Sequence, residues 1–131
     1  MLNVKLITMD NNRKYDLEER LIKFAIKMLE ISELLPNTKA GNHIAGQLVR
    51  CGTSPAFNYG EAQSAESLKD FVHKMGICLK ELRETSICLK IIVLKPLVNH
   101  PEELKGDLTE CGELIAIFTK SIKTAKSDKK E

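Results

Sequence analysis

The chain has 131 residues, of which 43% are apolar and 29% are charged, and this composition excludes a disordered, collagenous or disulfide-scaffold protein. The 20 basic and 18 acidic residues leave a formal net charge of +2, which excludes a protein held on nucleic acid by bulk charge alone. Four Phe, two Tyr and no Trp are too few for a base-stacking surface. The length predicts one domain.

The first predicted helix covers about 20 residues, a length read from its apolar spacing. Asp16 and Glu19 form a capping-box pattern, and Pro36 ends the helix. Its apolar residues recur at steps of 4 and 3: Leu17, Leu21, Phe24, Met28, Ile31 and Leu35. Residues 1–14 lack this pattern, and we expect them to form an extended or disordered arm.

The second predicted helix opens near Asn42, again covers about 20 residues, and is expected to be kinked. Its apolar stripe consists of Ile44, Leu48, Cys51, Ala56, Tyr59 and Ala62. The stripe is interrupted between Gly52 and Pro55, where every residue weakens a helix. Because the stripe resumes after Pro55, the sequence predicts one bent helix.

The third predicted helix is the longest, opening at the capping pair Ser67 and Asp70 and ending before Pro96. Pro101 begins the fourth, followed by acidic residues that suit a first helical turn. The apolar stripe of the third helix consists of Leu68, Phe71, Met75, Cys78, Leu82, Thr85, Leu89 and Ile92. The stripe of the fourth helix consists of Leu104, Leu108, Cys111, Ile115, Phe118, Ile122 and Ala125. Residues 127–131 are expected to fray.

Apolar steps of 3 and 4 that persist over several turns are typical of helices packed nearly parallel, and short connections make neighbours antiparallel. The sequence therefore predicts an all-α protein, an up-down-up-down antiparallel four-helix bundle over residues 15–126.

The third helix carries a second apolar stripe on its back. If the helical phase persists, Ile87, Ile91, Leu94 and Val98 lie about 140° to 200° away from Leu89. A helix that is apolar on both faces needs cover on both. The N-terminal arm and a second subunit are the two candidate covers, and we favour the subunit.

No residue pattern indicates catalytic chemistry. The chain contains no phosphate-binding glycine motif, no nucleophile elbow and no Glu-x-x-His pair, so we assign no catalytic, cofactor-binding or metal-binding residue. Glu81 and Glu84 are interpreted as solvated or as partners of Lys80 and Arg83. A small metal-dependent or nucleotide-processing enzyme built in the bundle core remains the competing class of function.

The four cysteines, Cys51, Cys78, Cys88 and Cys111, form no C-x-x-C pair, and residues 1–10 carry too few apolar residues for a signal peptide. No apolar run approaches the roughly 20 residues of a membrane span. We therefore expect reduced thiols and a cytoplasmic protein.

Basic residues gather where the start of the first helix adjoins the end of the fourth. The candidates for contact with nucleic acid or an acidic partner are Arg13, Lys14, Arg20, Lys23, Lys120, Lys123 and Lys126. Such an end suits electrostatic binding of RNA. The alternative interpretation is that these charges only complement helix dipoles and keep the surface solvated.

Three blocks carry a resemblance that composition does not reveal. They are residues 41–54 (GNHIAGQLVRCGTS) with 58–62 (NYGEA), 67–74 (SLKDFVHK) with 80–85 (KELRET), and 114–115 (LI) with 119–123 (TKSIK). In this order they resemble the bacterial 23S rRNA intervening-sequence protein family, over roughly residues 15–126.

The resemblance implies a homo-oligomeric helical bundle, with ring-shaped pentamers in the family, and no established enzymatic activity. It also implies, more weakly, association with RNA or an RNA-processing protein, since a related branch serves as accessory subunits of reverse transcriptases. We therefore expect a non-enzymatic homopentamer without cofactor, with an adaptor for another protein as the alternative.

Overall fold

The computed structural model describes the backbone of residues 8–129 and the side-chain surroundings of residues 17–127. Four α-helices follow one another: α1 (Thr8–Ser32), α2 (Lys39–Gln63), α3 (Leu68–Leu94) and α4 (Lys105–Lys129), with a 3₁₀ turn at Pro101–Leu104 before the last. The described backbone contains no strand. The predicted all-α, four-helix fold is confirmed.

Helix boundaries agree best with the sequence where a cap or a proline sets them. The Ser67 hydroxyl accepts a hydrogen bond from the Asp70 amide at 3.0 Å, which confirms the predicted cap of α3. α3 is the longest helix and ends at Leu94, two residues before Pro96. In α2, the Thr38 hydroxyl accepts from the Gly41 amide at 3.0 Å, so this helix begins before the predicted Asn42.

The outer ends of α1 and α4 are longer than predicted. α1 begins at Thr8, so the backbone of residues 8–14 is helical rather than extended, while residues 1–7 lie outside the described chain. Residues 10–14 are all polar, and a helix without an apolar stripe leaves no periodic signal in the sequence. α4 continues to Lys129, beyond the predicted fraying point.

Ion pairs show that α2 and α3 run antiparallel. Arg50 near the middle of α2 pairs with Glu81 at the middle of α3, and Glu61 at the end of α2 pairs with Lys74 near the start of α3. In the described part of the chain, the backbone of α1 lies close to α2 along much of its length and to α4 over a shorter stretch. It does not approach the backbone of α3, so α1 and α3 lie diagonally. α2 runs on through the buried Pro55, and the kink there stays a prediction.

The core follows most of the predicted stripe positions, with two differences. Leu68 is 38% exposed, and on α4 Leu114, which lies outside the predicted stripe, is fully buried while Ile115 is only half-buried. The fully buried side chains of the core include Leu21, Met28, Ile31, Leu48, Met75, Leu82, Leu89, Ile92, Leu114 and Phe118. Tyr59 and Phe118 meet edge-to-face across the bundle, with ring centroids 5.9 Å apart. Thr85, the polar member of the α3 stripe, is also buried, and its hydroxyl donates to the Glu81 carbonyl oxygen at 2.7 Å.

Candidate functional surfaces

The back of α3 exposes an apolar strip to solvent. Ile87, Ile91 and Leu94 are 57%, 41% and 81% exposed, although their neighbours Leu89 and Ile92 are fully buried. Side chains of this size are individually common on surfaces, but three at successive steps of 4 and 3 make a continuous strip along one helix face. We call these three residues the α3 strip.

Val98, predicted to continue this strip, lies elsewhere. α3 ends at Leu94, so the helical phase does not persist to residue 98, and the connection turns Val98 into the core, where it is 8% exposed. Its assignment to a subunit interface is therefore wrong. The α3 strip has three members.

A second apolar strip, on α1, escaped the sequence analysis. Ile22, Ile26 and Leu29 are each 40–50% exposed, on the side of α1 opposite the buried Phe24 and Met28. Their steps of 4 and 3 were visible in the sequence. The regular core stripe of the same helix already accounts for its amphipathic pattern, and it masks the second stripe on the opposite face. We call these residues the α1 strip.

Arg50 joins α2 to α3 through two carboxylates. Its guanidinium donates to Glu81 at 2.9 Å and to Glu84 at 2.7 Å. The interpretation that Glu81 is solvated or pairs with Lys80 or Arg83 is wrong, because Glu81 is buried at the boundary between the helices and its ion pair is with Arg50. Glu84 is half-buried and pairs with the same arginine. Removing Arg50 would leave a buried carboxylate without a counter-charge.

The four cysteines are free and buried in the core, and Cys51 of α2 and Cys88 of α3 lie next to each other. Three thiols donate to backbone carbonyl oxygens of a neighbouring helix: Cys78 to Pro55 at 3.5 Å, Cys88 to Ile44 at 3.7 Å and Cys111 to Leu82 at 3.3 Å. Burial raises the pKa of Cys78 and of Cys111 to about 12. Between residues 17 and 127, no group of three His, Cys, Asp or Glu side chains is placed to hold a metal ion.

These buried thiols predict a loss of stability at alkaline pH. An unfolded cysteine titrates near pH 8.5, whereas folded Cys78 and Cys111 keep their protons to about pH 12. Between these values the unfolded chain binds fewer protons than the folded chain, so the free energy of unfolding falls as pH rises. Urea unfolding followed by circular dichroism from about pH 8 to about pH 11 measures this fall.

The matched variant replaces Cys78 and Cys111 by Ala. Its decline should be shallower. A residual decline should come from Cys88, whose pKa is raised by the neighbouring Cys51 and by burial, and at the alkaline limit from Tyr59, whose pKa burial raises to about 12. An equal slope in both proteins would contradict the assignment to the thiols.

Some of the basic residues predicted to gather at one end of the bundle are neutralised by ion pairs, and others are not. Arg20 donates to both oxygens of the Glu110 carboxylate, at 2.7 and 3.0 Å, and to Glu113 at 3.1 Å, so it links α1 to α4. The Lys23 ammonium nitrogen lies 3.5 Å from a carboxylate oxygen of Glu19. The side chains of Arg13 and Lys14 lie outside the described part. Lys120, Lys123 and Lys126 are exposed on α4 and form no ion pair with a described residue.

Comparison with known families agrees with this architecture. The family model described as 23S rRNA-intervening sequence protein matches residues 13–119, which is most of the chain and omits only the start of α1 and the end of α4 from the four helices. The chain belongs to this family. The resemblance carried by its three sequence blocks is confirmed.

A solved structure supports the same membership. A protein of unknown function from the S23 ribosomal protein family of Bacteroides thetaiotaomicron is 26% identical and superposes with a TM-score of 0.75, over 83% of this chain and 96% of that one. No curated protein matches the chain. Among residues 8–129, no helix is both long and apolar enough to span a bilayer.

Proposed function

We propose that this member of the 23S rRNA-intervening sequence protein family is a non-enzymatic, cytoplasmic bundle that works as a homo-oligomer, a pentamer by resemblance to its family. The observation that carries the proposal is the α3 strip. Three large aliphatic side chains stand in solvent at helical spacing on a helix whose other face is fully packed. A second copy of the chain is the occupant that removes them from water.

The strip is large enough to contribute to association. Burying an aliphatic side chain contributes about 1.5–3 kcal/mol, so each copy gains several kcal/mol from its own strip. The apolar side chains of the partner surface add to this gain. Together they oppose the loss of translational and rotational freedom on association. The charged groups beside the strip already have partners, since Arg50 is bonded to both Glu81 and Glu84. This arrangement favours a structural role over a catalytic one.

We expect the double change Ile91→Asp and Leu94→Asp to convert the oligomer to monomers, because two carboxylates would be desolvated in the contact. Light scattering coupled to gel filtration measures the mass, and circular dichroism checks that the helices remain. Phe57→Asp is the matched control, since Phe57 is an isolated exposed side chain on α2. A monomeric unmodified chain would contradict the proposal and favour cover by the segment before Thr8.

Lys120, Lys123 and Lys126 support a second candidate function, electrostatic binding of RNA. They are exposed without an acidic partner in the described chain, and an oligomer would repeat them once per copy, so that weak sites add. Binding of labelled RNA should weaken steeply with salt, and the salt slope should flatten when the three lysines are changed to Glu. Binding that is absent at low salt, or unchanged in the variant, would favour an adaptor for another protein.

A further inference from the structure

The α1 strip and the α3 strip are built alike. Each consists of three aliphatic residues at steps of 4 and then 3, Ile22, Ile26 and Leu29 on α1 and Ile87, Ile91 and Leu94 on α3. Both therefore extend over two helical turns, about 10 Å. Because α1 and α3 are diagonal in the bundle, the two strips lie on opposite sides of one subunit.

The charges that border the two strips are opposite in sign. Around the α1 strip the outward-facing charges are mostly acidic: Glu18, Glu19, Glu30 and Glu33, with Lys23 and Lys27 at the edge towards α4. Around the α3 strip they are basic: Lys80, Arg83, Lys90 and Lys95. Glu84, the carboxylate one turn before Ile87 on α3, is already bonded to Arg50.

This distribution decides which faces fit together. Packing two α3 strips against each other would oppose lysines and an arginine to their own copies, and packing two α1 strips would oppose glutamates. Like charges facing across an interface cost several kcal/mol, whereas complementary charges steer association and set its register. The combination of α1 strip with α3 strip brings equal apolar lengths and opposite charges together.

We propose that the α3 strip of one copy packs on the α1 strip of the next copy. The contact is heterologous, so every subunit uses two different surfaces and the assembly closes as a ring when the rotation between copies permits. This inference rests on the proposed self-association and names its partner surface. The same arrangement explains why α1 exposes isoleucines that its core stripe does not require.

Two single substitutions separate this arrangement from any symmetric one. Ile26→Asp destroys the α1 strip and leaves the α3 strip intact, and Ile91→Asp does the reverse. Each variant alone should be monomeric. An equimolar mixture of the two should form a 1:1 heterodimer with twice the monomer mass, because one complementary pair of strips survives and neither free end can continue. Light scattering measures all three samples.

The remaining outcomes separate this inference from the proposed function. If Ile91→Asp is monomeric while Ile26→Asp keeps the native mass, the copies associate through α3 alone and the heterologous contact is wrong, although self-association stands. If the unmodified chain is monomeric, both fail. Phe57→Asp should keep the native mass, and dissociation of this control would place the contact on α2 instead. Heterodimer formation itself shows that both variants are folded.

Discussion

Phe118→Ala should lower the free energy of unfolding by about 3–5 kcal/mol, the range for removing an aromatic side chain from a packed core. Phe118 is fully buried on α4, and its ring meets Tyr59 of α2 at an interplanar angle of 79°. The contact crosses the bundle between helices that are not sequence neighbours. Truncation leaves a cavity where α4 is held to the rest, and urea unfolding followed by circular dichroism measures the loss.

Phe57→Ala is the matched control for this change. Phe57 is 72% exposed on the outer face of α2, so its truncation removes few contacts and should change the stability by no more than about 0.5 kcal/mol. The two variants delete the same atoms from the same chain. Equal losses in both would contradict the placement of Phe118 in the core.

Gly52→Ala should destabilise the fold by about 1–3 kcal/mol, the usual cost of overpacking a tight contact. A methyl group at position 52 would lie 2.6 Å from Cβ and Cγ of Met28, too close for carbon atoms. Met28 is itself fully buried and its Cβ moves only with the backbone of α1. Relief therefore requires α1 and α2 to separate, and the midpoint of urea unfolding should fall.

Gly60→Ala, on the same helix, should have the opposite sign. A Cβ at Gly60 meets no heavy atom within 4 Å, so the substitution only adds helix propensity, worth about 0.5–1 kcal/mol in a helix interior. A neutral or stabilising effect of Gly52→Ala would show that α1 and α2 do not approach as closely as 2.6 Å implies. The pair tests helix packing without changing any charge.

The sequence block that carries the family resemblance has packing roles in this structure. A Cβ at Gly41 would lie within 3.0 Å of the Pro36 carbonyl carbon. Because glycine has no Cβ, α2 can start directly after the turn. Arg50 balances Glu81, and Gly52 admits Met28. These three positions join α2 to the loop before it, to α3 and to α1. Part of the motif of residues 41–54 therefore specifies how α2 fits against its neighbours.

By itself the sequence determined the four helices, their core stripes, the cap at Ser67 and the exposed strip at Ile87, Ile91 and Leu94. Each of these depends on spacing along one helix, or on a hydrogen bond within one turn, and such local relations are written directly in residue order. The family resemblance also depends on local residue order, because each of its blocks is a short run of consecutive residues.

The tertiary structure alone decided which side chains meet across helices. Residue spacing does not give the rotation and register of two neighbouring helices, and these place Glu81 and Glu84 on Arg50 and bring Glu110 to Arg20. Where a helix ends matters equally: α3 stops at Leu94, so Val98 leaves the predicted face and enters the core. The apolar strips of α1 and α3 lie on opposite sides of the subunit because the two helices are diagonal, and residue spacing does not give that placement.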